Sequence, residues 1–140
     1  MTVSEIATTD VVTAALDTPI LDIVSAMDDE NVGSVVVVDE DEPVGIVTDR
    51  KIALATRDHD DLGSATASDV IGEGTELISV EQDADVFDAL QLMEEHSIRR
   101  IPVRGDGNHL AGIVTLDDVI VMLSEQSDSV AGVVRGQTRL

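Results

Sequence analysis

The stretch "GIVTLDD", residues 112–118, carries an apolar run into a threonine with two aspartates close behind. Residues 45–51, "GIVTDRK", say nearly the same thing earlier in the chain. In both, a β-branched run stops at a threonine and gives way to a polar first helical turn. Such self-similarity marks a chain built from two like units. Thr48 and Thr115 hold the same place in the two copies, but Lys51 stands where the later copy has Asp118. The copies therefore differ in charge at one matched position.

Working outward from that pair, each unit reads as strand, helix, strand, strand, helix. The first opens near "VSEIATTDVVTA" (3–14) and the second near "ASDVIGEGTELISV" (67–80). In the first, Thr18 is expected to cap a helix with Pro19 at its first position, followed by Ile20, Ile23, Val24 and Met27 at helical spacing. In the second, Asp83 is expected to cap a helix with Val86, Phe87, Leu90 and Met93 on one side. Two short strands joined by a polar hairpin follow in each: "SVVVV" then "PVGIVT", and "RIPV" then "LAGIVT". Helices "DRKIALAT" and "LDDVIVMLSE" close the units. The expected boundaries are residues 1–56 and 67–124, with a linker at 57–66 and a tail at 125–140. The tail shows no clear period, so a short strand or a disordered end is expected there. Units this small cannot cover both faces of a sheet alone and should pack on one another, an α/β (α+β) arrangement.

Composition bounds the function. The 140 residues suit one compact module with a real core, and 43% are hydrophobic despite a formal charge of −21. No apolar run approaches a membrane span, and the N-terminus does not read as a signal peptide, so a cytoplasmic protein with no membrane partner is expected. With no cysteine there is neither a disulfide framework nor a thiolate zinc site. Acids number 29 against eight Lys and Arg, of which Lys51 is the single lysine. Nucleic acid is a poor partner for such a chain. An acidic, lysine-poor surface on a patterned core resembles the proteins of salt-accumulating halophiles, where salt screens the self-repulsion. The hairpin "DEDEPVG" (39–45) lacks the bidentate Glu of a calcium loop and reads as a solvated turn.

Two "G-I-V-T-x-x-D/K" copies in a duplicated unit, with "IRRIPV" (98–103) before the second, resemble a tandem cystathionine-β-synthase (CBS) domain pair over residues 3–124. The resemblance implies two β-α-β-β-α repeats packed sheet to sheet about a pseudo-twofold axis, with two clefts. It also implies homodimers and a regulatory role, in which an adenosine-containing ligand (AMP, ADP, ATP or S-adenosylmethionine) is sensed for an unknown protein target. No further cofactor is required.

The residues allow this and a plainer reading. Thr115 ends a strand at a helix start, where negative groups are favoured. Asp118 can accept from two ribose hydroxyls, or it can form a capping box with Thr115. Arg99 and Arg100, which the resemblance places beside ligand phosphates, have paired guanidinium donors suited to them, or they pair with surface acids such as Glu94 or Glu95. Ile113 could support an adenine face or be ordinary core. Val12 and Thr13, with Val11, are implied to line the same cleft from the other repeat. The first cleft, at Thr48 and Lys51, departs from the pattern because an ammonium only donates. It is either empty or adapted to another anionic group, and the expectation is one ribose-type site per chain, at Asp118. An enzyme is not expected: there is no nucleophilic Cys, no tyrosine, no Walker loop and no His pair at metal spacing. A silent dimerisation module is the other class to weigh.

Overall fold

The computed structural model describes residues 1–72 and 76–138. The first half contains α1 (Val3–Ile6), β1 (Thr13–Ala14), α2 (Ile20–Glu30), β2 (Ser34–Asp39), β3 (Glu42–Thr48) and α3 (Asp49–Ala55). The second repeats it with α4 (Ala67–Ile71), β4 (Val80–Glu81), α5 (Val86–His96), β5 (Arg100–Arg104), β6 (Leu110–Thr115) and α6 (Leu116–Thr138). Each half forms a three-stranded sheet, ordered β1-β2-β3 or β4-β5-β6. The first strand lies parallel to the second, which forms an antiparallel hairpin with the third. The expected α/β architecture of two β-α-β-β-α units is what forms, with a short helix added ahead of each.

Local chemistry explains the hairpins. Glu40 (φ 50) and Asp41 (φ 66) are both left-handed between Asp39 and Glu42, the two-residue turn whose twist matches paired strands. The second hairpin turns through Gly107 (φ 68) and Asn108 (φ 64). Each ladder carries one irregularity, at Val37/Val38 and at Val103/Arg104.

The short helices are exchanged between halves. Val3 of α1 is fully buried in the second half's core with Ala89, Met93, Ile101 and Val114. Its N–H donates to Ala84 O (2.8 Å), and Ser4 N–H donates to Gln82 O (3.0 Å). Conversely, Ala65 and Ala67 fill the first half's core beside Ile20, Ile23, Val35 and Val47. There Ala67 N–H donates to Thr18 O (2.9 Å) and Ser68 N–H to Leu16 O (2.9 Å). Neither half closes its core without a piece of the other, so burial couples the two into one unit.

Six expectations need correction. Thr18 does not cap α2: its hydroxyl accepts from Ala15 N–H (2.9 Å) within the preceding turn. Pro19 is the residue before the helix, and Ile20 N–H is satisfied by Ala65 O (2.9 Å) of the exchanged segment. Asp85, not Asp83, caps α5, its Oδ1 accepting from Phe87 N–H (2.8 Å). Phe87 is 60% exposed, because the inward stripe of α5 is Val86, Ala89 and Met93 and Phe87 lies one helical step round from Val86. Val24 is likewise exposed, Ile20 and Ile23 taking the inward face of α2. The tail is neither strand nor disordered: α6 runs through to Thr138. Beyond Met122 no described residue of α6 is buried, so no apolar period was needed in that stretch.

Candidate functional site

Between the halves lies a cleft of about 610 Å³, within the range of small-molecule sites. One wall is the end of β3 and the start of α3, with Gly45, Ile46, Thr48, Asp49, Arg50 and Lys51. The other comes from the second half: Ile71, Glu76, Leu77 and Ile78 before β4, then Ile98, Arg99 and Arg100 entering β5. The strand-end threonine orders its wall, Thr48 Oγ1 accepting from Lys51 N–H (3.1 Å). Lys51 Nζ donates to Ile46 O (2.9 Å), and burial pushes its pKa below the ordinary lysine value of 10.5. Arg100 Nη1 donates across to Gly33 O (3.1 Å). Arg99 Nη2 lies 3.9 Å from Asp117 Oδ1, both side chains being mostly exposed, so this ion pair holds it weakly.

The electrostatics are lopsided. Arg50, Lys51, Arg99 and Arg100 line the cleft against the carboxylates Asp49 and Glu76. Half of the eight cationic residues of a strongly acidic chain thus meet at one hollow. Much of its remaining lining is aliphatic (Val44, Leu54, Ile71, Leu77, Ile78), so cations and apolar surface face one space.

The expected grouping divides differently here. Arg99 and Arg100 line one cleft with Thr48 and Lys51, the one expected to be either empty or adapted to another anionic group, although Arg100 also pairs with Thr115 across the β5–β6 ladder. Thr115 and Asp118 bond to each other: Thr115 N–H donates to Asp118 Oδ2 (2.9 Å), and Asp118 N–H to Thr115 Oγ1 (3.1 Å). Neither lines a described cavity. The segment between α1 and β1 lies against β6 here. Thr8 and Ile113 exchange two backbone bonds of 2.9 Å, laying residues 7–9 along β6. Thr8 O comes so close to Gly112 that a Cβ there would meet it at 2.7 Å. Ile113 is buried, 9% exposed. Val12 packs against the first core, and its carbonyl accepts from Val36 N–H (3.0 Å). Thr13 lines a separate hollow of about 400 Å³ at the hairpin tips, with Thr9, Val11, Asp41 and His109.

Sequence reasoning passed over Asp49, Arg50, Glu76 and Ile98. A signal for Arg50 was present: "RK" (50–51) and "RR" (99–100) are the two adjacent basic pairs of an acidic chain, and folding brings them to the same hollow.

A family model described as the CBS domain matches residues 3–58 and 66–125. This chain belongs to the CBS domain family. Among curated proteins, this CBS domain protein is 42% identical over 88 residues to the CBS domain-containing protein YhcV of Bacillus subtilis, covering 63% of this chain and 59% of YhcV. It is 33% identical over 84 residues to hypoxic response protein 1 of Mycobacterium tuberculosis, covering 59% of this chain and 57% of that protein. The matches thus span under two thirds of either relative's length. Both are bacterial, and neither lends support to the halophile origin expected from composition. The crystal structure of Hypoxic Response Protein I with two coordinated zinc ions superposes with a TM-score of 0.76 at 27% identity, over 86% of this chain and 97% of that one. The CBS domain protein PAE2072 from Pyrobaculum aerophilum, complexed with AMP, superposes with a TM-score of 0.75 at 23% identity, over 84% and 89% of the two chains. Among the described residues of the CBS pair, no cluster of three or more metal-ligating side chains is present, and no helix is long and apolar enough to cross a membrane.

Proposed function

We propose that this CBS pair is a non-catalytic regulatory module that holds an adenosine-containing nucleotide in the cleft lined by Thr48, Lys51, Arg99 and Arg100. The observation that carries the reading is the meeting of four cationic side chains at one hollow between the repeats of a chain with net charge −21. Guanidinium and ammonium groups beside aliphatic walls suit a ligand with an anionic end and an apolar, flat end. AMP in PAE2072 supports the ligand class by likeness of fold alone. Regulation then requires the nucleotide to bind two arrangements of the pair with different affinity, and an unidentified protein target reads the difference. Residues 1–56 and 67–124 serve as the two halves of the sensor, and its acidic surface suits work in the cytoplasm at high salt.

The test is a thermal-shift series with AMP, ADP, ATP and S-adenosylmethionine, since a ligand that binds only the folded state raises its melting temperature. A saturable shift that needs roughly tenfold more nucleotide in Arg100→Ala supports the reading. No shift with any of them would sink it.

A second reading rests on a different observation. Phe87 (60% exposed), Ile120 (53%) and Val121 (57%) leave apolar surface open on α5 and α6. Such surface favours a dimerisation module whose clefts are silent, in which a homodimer forms with no ligand. Equal oligomeric mass with and without nucleotide, together with no thermal shift, would select it.

A further inference from the structure

We infer that this cleft selects its ligand by phosphate charge and not by the ribose diol, so that a nucleoside di- or triphosphate is preferred to a monophosphate or a sulfonium nucleoside. The inference rests on the nucleotide reading above and sharpens it. A ribose diol has two O–H donors that bind best to a free acceptor, although its oxygens also accept, whereas phosphate oxygens only accept and gain from every donor. The cleft is rich in donors. Arg50 makes no side-chain hydrogen bond or ion pair among the described residues, and Lys51 spends one N–H of three on Ile46 O (2.9 Å). Arg100 spends Nη1 on Gly33 O (3.1 Å), and Arg99 has only its long, exposed contact with Asp117 (3.9 Å).

Acceptors are scarce by comparison. Asp49 Oδ1 already accepts from Arg50 N–H (2.8 Å). Its Oδ2 is turned toward Gly33 and Arg100, close to where a Gly33 Cβ would meet both, at 3.3 Å and 3.5 Å. Glu76 is an exposed carboxylate at the rim. The matched carboxylate of the other repeat, Asp118, is engaged with Thr115 and lines no described cavity. Each phosphate added to the ligand therefore finds donors waiting, while the hydroxyl protons of the sugar find few free acceptors. S-adenosylmethionine would bring a sulfonium cation to the same wall, which costs affinity.

Calorimetry on the full chain at one ionic strength, without magnesium, tests this. The probes are ATP, ADP, AMP, S-adenosylmethionine, 2′,3′-dideoxy-ATP and inorganic tripolyphosphate. The expected result is affinity rising by roughly tenfold or more from AMP to ATP. Dideoxy-ATP should stay within about threefold of ATP, and Lys51→Asp should weaken ATP by roughly tenfold with the melting temperature of the free protein as the folding control. AMP binding as tightly as ATP, or a loss beyond about tenfold for dideoxy-ATP, overturns the charge inference and leaves the nucleotide reading standing. Tripolyphosphate binding as tightly as ATP keeps the charge inference and removes the adenosine reading. Absence of binding by every probe overturns both.

Discussion

Arg100 reaches across to the first repeat, its Nη1 donating at 3.1 Å to the carbonyl of Gly33, the residue before its own counterpart Ser34. A Cβ on Gly33 would stand 3.5 Å from Arg100 Nη2 and 3.3 Å from Asp49 Oδ2. The arginine that faces the cleft is thus also a tie between the repeats.

Arg100→Ala should then have two separable effects. Gly33 O would not be orphaned, because it also accepts from Asp49 N–H (3.1 Å). The stability cost should therefore sit near the low end for a charged hydrogen bond, about 1.5 kcal/mol. Nucleotide affinity should fall by roughly tenfold, the worth of one direct phosphate contact. Urea denaturation and calorimetry on the same sample check both; unaltered affinity with altered stability would make Arg100 a structural residue only.

Asp118 is expected to behave in the opposite way. Its Oδ2 holds Thr115 N–H at 2.9 Å and its own N–H is held by Thr115 Oγ1 at 3.1 Å, a reciprocal cap at the start of α6. Asp118→Ala should cost about 1 kcal/mol of stability. ATP affinity should stay within about twofold. A large loss of affinity with little loss of stability would return the ribose site to the second repeat.

The two glycines of the repeated motif should not tolerate alanine equally. At Gly112 a Cβ would meet the carbonyl oxygen of Thr8 at 2.7 Å, backbone held by two ladder bonds to Ile113. At Gly45 it would meet Ile71 Cδ1 at 2.8 Å, the far end of a side chain that can rotate toward the neighbouring cleft. Gly112→Ala should therefore cost more than Gly45→Ala, about 2–3 kcal/mol against about 1 kcal/mol. Denaturation midpoints compare them, and the reverse order would mean that residues 7–9 do not lie on β6.

These residues show what the sequence could and could not tell. The repeated strand-to-helix motif, the order of elements and the sheet hairpins follow from local periodicity and were legible. The exchange of α1 and α4 was not, because Val3 and Ala67 look the same whichever core they enter. The choice between clefts turned on residues 7–12 and 76–79, which lead into β1 and β4. Whether such a segment pairs with a strand or stands off it is a tertiary decision with no local signature. Asp118 satisfied both readings of its spacing, and only the two hydrogen bonds with Thr115 separate them. Helix caps slipped by one or two residues where the other half supplied the bond, as Ala65 does for Ile20.

Lys51 gives the fold a pH signature. Burial holds its pKa in the folded chain below the ordinary value of 10.5, so at pH values between the two the unfolded chain binds more protons. Stability must then rise with pH across that window, and its contribution is lost as pH falls through the lowered value. Lys51→Met removes the titrating group while keeping much of the aliphatic stem. Wild type should gain stability relative to this variant as pH climbs toward 10.5, a slope of opposite sign meaning that the ammonium is stabilised by its surroundings. A bound polyphosphate would reverse the shift by favouring the charged ammonium. Nucleotide binding in the same window should therefore take up protons, visible as a binding heat that changes with the ionisation enthalpy of the buffer, and Lys51→Met should abolish that dependence.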